Sequence, residues 1–171
     1  MSRIKMLCLL AAAIALVGVS FRAGAEGDEA GETPEQLALK NRAEAPKAAD
    51  MDGAASVDAL LAKSKPDGFS PTHGATLEGH VVQVEREEDG DYHIVLAKNA
   101  AEPDSRKWVI VEVPKSWQEK SPDTMNGKSL RALRGKHVRA TGWLYWEPET
   151  EGPDPRGTRW ELHPVTKIEV L

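Results

Sequence analysis

Trp160-Glu161-Leu162-His163-Pro164-Val165-Thr166-Lys167-Ile168-Glu169-Val170, at the end of the chain, is the stretch that decides the fold. Trp160, Leu162, Pro164, Thr166, Ile168 and Val170 share one parity, and Glu161, His163, Lys167 and Glu169 the other. A period of two with the apolar groups on one side predicts a long, half-buried strand.

Four earlier stretches can close a small barrel around it. Leu77–Val84 predicts a strand in which Gly79 and the adjacent Val81-Val82 pair mark a bulge or bend. Asp89-Gly90 is a hairpin signal, and Tyr92–Ala97 alternates Tyr92, Ile94 and Leu96 against His93 and Val95. Lys107–Val113 sets Val109, Val111 and Val113 against Trp108, Ile110 and Glu112. After Pro114 comes a connector anchored by Trp117, and then Gly127–Arg134 reads as a short helix stopped by Gly135. His137–Trp146 turns Val138, Ala140, Gly142, Leu144 and Trp146 one way and Arg139, Thr141, Trp143 and Tyr145 the other.

Strand, strand, strand, helix, strand, strand in about 95 residues is the order of the oligonucleotide/oligosaccharide-binding (OB) barrel, a five-stranded all-β Greek key. The helix between the third and fourth strands argues against an SH3-like barrel. Gly142-Trp143-Leu144, Arg156-Gly157-Thr158 and the closing strand, preceded by Asp91-Tyr92-His93-Ile94, resemble a group of secreted bacterial proteins of unknown function assigned an OB-type barrel. That resemblance covers about Gly74 to Leu171; it implies a fold and carries no catalytic role.

The first 25 residues differ in kind from the rest. Arg3 and Lys5 precede the apolar run Met6–Val19, and Ala23-Gly24-Ala25 offers small residues to a signal peptidase, so a leader ending at Ala25 and a secreted or periplasmic product are expected. The run is short for a bilayer, and no membrane span is expected after the leader is removed. The single cysteine, Cys8, lies in the leader, which leaves the mature chain without a thiol for a disulfide or a cysteine metal site. Loss of Arg3, Lys5 and Arg22 leaves 19 bases against 27 acids, a net charge of minus 8 that disfavours non-specific binding to phosphate backbones.

Residues 26–70 hold five bases and ten acids with few large apolar groups, the composition of a disordered acidic tether to a domain spanning residues 71–171. Two short helices are encoded within it. One opens on the capping sequence Thr33-Pro34-Glu35-Gln36, and the other spaces Val57, Leu60 and Leu61 helically and could dock on the domain.

Three constellations compete for a role. His93, Glu161 and His163 are metal-ligand types, but a strand intervenes between the second and fifth strands of this order. That separates the histidines by about 10 Å, so no metal and no cofactor are expected. Glu161 and His163 are expected instead to hydrogen-bond loops around Arg156 and Arg159. Trp108, Trp143 and Tyr145 lie opposite the aliphatic core and, with His93, form the candidate ligand face, unless the helix, the connector or the N-terminal segment covers them. Acids at Glu87, Glu88, Asp89, Asp91, Glu147, Glu149, Glu151 and Asp154 flank that face and would repel phosphates. The basic run Lys128, Arg131, Arg134, Lys136 and Arg139 keeps nucleic acid as the alternative partner. No nucleophile elbow, His-Glu-x-x-His helix or phosphate-binding glycine loop is present, so a small metal-dependent hydrolase is the weaker reading. The chain therefore reads as a non-catalytic binding module for a sugar, a peptide or an envelope protein.

Overall fold

The computed structural model describes residues 34–64, 70–146 and 160–171. Its elements are α1 (Pro34–Lys40), β1 (Met51–Ser56), α2 (Val57–Leu61), β2 (Ser70–Arg86), β3 (Tyr92–Ala97), β4 (Val109–Val113), α3 (Lys115–Lys120), α4 (Gly127–Arg131), β5 (His137–Trp146) and β6 (Trp160–Val170). The strands run in the order β1-β2-β3-β4-β6-β5, and β2 also pairs with β5, which closes β2 to β6 into a five-stranded OB-like barrel. β6 shuts it, antiparallel to β5 and parallel to β4. Among the described residues no helix is long and apolar enough to cross a membrane.

Leu77, Val81, Ile94, Leu96, Val109, Val111, Val138, Ala140, Leu144 and Leu162 fill the interior, as their parities require. The pairing of β2 with β3 slips between Val81 and Gln83, at the valine doublet, so β2 bends and serves both β3 and β5. β6 slips twice against β5 around Gly142, and the strict alternation of the sequence breaks there: Val165, on the other parity, joins Leu162 in the core. A Cβ on Gly142 would stand 2.3 Å from the Pro164 carbonyl oxygen, so only glycine admits that approach.

Several boundaries move. β2 is longer than expected, β4 starts at Val109 because Ser105–Lys107 forms a 3-10 turn, and two short helices, α3 and α4, lie where one helix and a connector were expected. The larger correction concerns the tether. Residues 34–64 carry α1, β1 and α2, and the packed unit begins well before residue 71. β1 adds to the barrel edge as a parallel partner of β2 from Met51↔Gly74 to Ser56↔Glu78. Ser56 caps α2 by accepting from the Ala59 amide at 3.2 Å, and Val57 and Leu60 enter the same core cluster as the barrel. Three apolar groups at helical spacing outweigh an acidic, alanine-rich composition because the barrel supplies the partner surface that an isolated helix lacks. Gly79 leaves the room: a Cβ there would stand 2.8 Å from Val57 Cγ2.

Candidate functional site

Opposite the core, β3, β4, β5 and β6 present their other parity, and this outer face is not wet. Val95 and Ile110 are buried on it beside His93, Glu112, Tyr145, Glu161 and His163. Strand register brings the polar groups together: His93 stands across from Glu112, and Tyr145 across from Glu161. His93 Nε2 lies 2.9 Å from Glu112 Oε2, and its Nδ1 lies 3.3 Å from Glu87 Oε1 in the β2–β3 turn. Two flanking carboxylates suit an imidazole that donates from both nitrogens. Across β4, His163 Nε2 lies 3.2 Å from Glu112 Oε1. Tyr145 donates its hydroxyl proton to Glu161 Oε2 at 2.5 Å, and its oxygen stands 3.5 Å from His163 Nδ1.

Burial sets the protonation of this cluster. The Glu112 carboxyl is pushed up to about 7 by desolvation, against the opposing pull of the His93 hydrogen bond and charge. His163 is held well below its ordinary value, first by burial and then by the charges of Lys40 and His93, so it is neutral near pH 7. With the tyrosine proton given to Glu161, the phenol oxygen can accept from His163 Nδ1, which puts the ring's lone pair on Nε2. That nitrogen is buried and makes no hydrogen bond, because its contact with Glu112 lacks the required geometry.

The N-terminal arm forms the roof. Lys40, the last residue of α1, is only 4% exposed, and its amine lies 5.2 Å from the centre of the Tyr145 ring. The Arg42 guanidinium stacks 4.0 Å above the Trp143 ring. Trp117 Nε1 then donates to the Arg42 carbonyl at 3.0 Å, Lys120 Nζ to the Ala43 carbonyl at 2.7 Å, and Trp143 Nε1 to the Glu44 carbonyl at 2.9 Å. Pro46 closes down on Gly74, where a Cβ would stand 2.3 Å from its own Cβ.

The structure thus gathers His93, Tyr145, Glu161 and His163 into one site and places Trp143 at its edge. Trp108 stays apart, half-buried before β4, with its indole donating to the Glu102 carbonyl of its own loop at 3.0 Å. The rings do not form an open platform; the arm covers Tyr145 and part of Trp143. Arg156 and Arg159, expected beside Glu161 and His163, lie outside the described residues. The intervening strand does separate the two histidines, as the barrel order requires, but Glu112 on that strand spans the gap with one oxygen to each. Its signal was a single acid inside Val109-Ile110-Val111-Glu112-Val113. Lys40 carried no signal, since only tertiary packing buries it. Of the basic run, Arg131 donates to the Tyr92 hydroxyl at 2.5 Å and Arg139 to Glu78 at 3.1 Å, which ties two of the five to the barrel itself.

No protein-family model and no curated protein matches the sequence. Solved structures that align with this chain include asparaginyl-tRNA synthetase from Entamoeba histolytica, at 14% identity and a TM-score of 0.41, covering 65% of this chain and 22% of that one. Aspartyl-tRNA synthetase from the same organism aligns at 15% identity and a TM-score of 0.37, covering 74% and 26%. This chain spans about a quarter of the length of those enzymes, and at such values nothing that they bind transfers to it.

Proposed function

We propose that the protein is a secreted or periplasmic, non-catalytic binding module whose ligand is an extended peptide, taken on the outer face of the barrel where its own arm lies. The observation that carries this reading is how the arm is held. Three successive main-chain carbonyls, of Arg42, Ala43 and Glu44, each accept one side-chain hydrogen bond, two from α3 and one from β5, while Lys40 is buried beside the Tyr145 ring with its charge felt by Glu112. Main-chain contacts that ignore sequence, combined with one side-chain pocket, are how peptide-recognition surfaces divide affinity from specificity. A peptide segment of an envelope protein fits this better than a sugar, because the rings a sugar would stack on are already covered. The leader expected over residues 1–25 and the resemblance of the closing strand to secreted proteins support the location.

The test loosens the arm within the full chain and offers its sequence back. A Lys40→Ala, Arg42→Ala variant, titrated with a synthetic peptide of residues 34–47, is expected to bind saturably, and the same peptide carrying Lys40→Ala should bind at least about tenfold more weakly, the loss of a charged contact worth about 1.4 kcal/mol or more. Absence of saturable binding by either peptide would remove the reading.

A further inference from the structure

We propose that Glu112, Glu161 and His163 form a binding site for a divalent transition-metal ion of the zinc class. The inference goes beyond the peptide reading and does not depend on it. One imidazole nitrogen and one oxygen from each carboxylate lie within 4.8 Å of one another in the buried cluster. The 3.2 Å between His163 Nε2 and Glu112 Oε1 is close to the edge of a tetrahedron, about 3.4 Å for ligand bonds of about 2.1 Å.

An independent observation points the same way. His163 Nε2 is buried and without a hydrogen bond, although leaving a buried polar atom unsatisfied is ordinarily costly. A metal ion is a partner that can take this lone pair beside the Glu112 carboxylate. Each ligand is also held from behind: His93 fixes Glu112, Tyr145 fixes Glu161, and the Tyr145 oxygen faces the other nitrogen of His163. Outer groups of this kind orient metal ligands and raise affinity. One imidazole with two carboxylates favours zinc, cobalt, nickel or iron over calcium and magnesium, which prefer oxygen alone.

Lys40 is the arm's counter-charge to Glu112: its ammonium favours the ionised carboxyl and opposes a positive charge on His163. An ion at the three ligands competes with it.

The experiment uses the full mature chain, stripped with a chelator, and titrates it with zinc sulfate by calorimetry and with cobalt chloride by visible absorption. One equivalent is expected to bind, with the intense visible bands of tetrahedral cobalt. His163→Gln and Glu112→Gln should each weaken zinc at least tenfold, and His73→Gln, in a half-exposed pair with Asp52, should leave it within twofold. Lys40→Met lies on the arm and leaves the barrel intact, so it serves even where a ligand variant folds poorly; it should tighten zinc at least threefold. No stoichiometric binding, binding that the ligand variants leave within twofold, or weakening by Lys40→Met would overturn the proposal. A failed peptide titration in the preceding test would not touch it.

Discussion

Glu112 and His163 are neighbours whose ionisation responds to burial in opposite senses, and the pH dependence of stability separates them. The carboxyl of Glu112 rises from 4.5 to about 7 on folding, so the native state holds that proton more tightly than the unfolded chain. Its contribution is complete below about pH 4.5 and is lost as pH climbs to about 7, about 3 kcal/mol across the window. His163 is depressed from 6.5, so its contribution is present above that pH and is lost as pH falls below it. Between 4.5 and 6.5 the two oppose each other; from 6.5 to about 7 only the loss from Glu112 remains. Thermal midpoints of chelator-treated protein should therefore decline from pH 6.5 to 7.5 in the parent but not in Glu112→Gln, whereas His163→Gln leaves the loss from Glu112 unopposed and should already decline as pH rises from 4.5 to 6.5. Parallel profiles for Glu112→Gln and the parent across that range would contradict this account of the site. Half of this pairing was legible. His163 declared itself as a polar residue on a strand's second face, but Glu112 looked like an ordinary outward acid. A parity pattern says which side a residue takes and not whether another segment roofs that side.

Among the elements, α2 is the one whose place the chain announces and then obscures. Val57, Leu60 and Leu61 at helical spacing after a serine cap are legible, yet the acidic stretch around them argues for a solvated linker. Leu60 is 1% exposed in the common core, so Leu60→Ala should cost about 2–4 kcal/mol, read as a lower urea midpoint of the single transition; a change under about 0.5 kcal/mol would return α2 to the linker. β1 was not legible at all. Met51-Asp52-Gly53-Ala54-Ala55 has neither alternation nor β-branched residues, and it is a strand because the edge of β2 offers unpaired main-chain groups. The barrel strands were readable because each buries one face against the others, a constraint written directly into side-chain period. The slips around Gly142 escaped because a period of two does not show where a strand must bulge to curve.

For the molecule as a whole, charge and shape act together. Removal of the expected leader leaves the net charge at minus 8, and the outer face of the barrel, where exposed rings would stack bases, is filled by carboxylates and by the arm. Filter binding with single-stranded DNA at low salt should show no retention. Retention that falls steeply with added salt would instead mark Lys128, Arg134 and Lys136 as a phosphate-binding surface. The order of the five barrel strands was readable, but the roof was not, because it joins segments 75 to 99 residues apart through carbonyls that any residue carries. One further property follows from the edge-to-face pair of Trp146 and Trp160, whose ring centres are 5.2 Å apart at the end of β5 and the start of β6. Trp146 also stands across from Trp160 in the register of β5 with β6, so the pair fastens that end of the two strands together. A clasp of edge-to-face rings, worth about 0.5–1.5 kcal/mol beyond the area it buries, guards the barrel's rim against fraying.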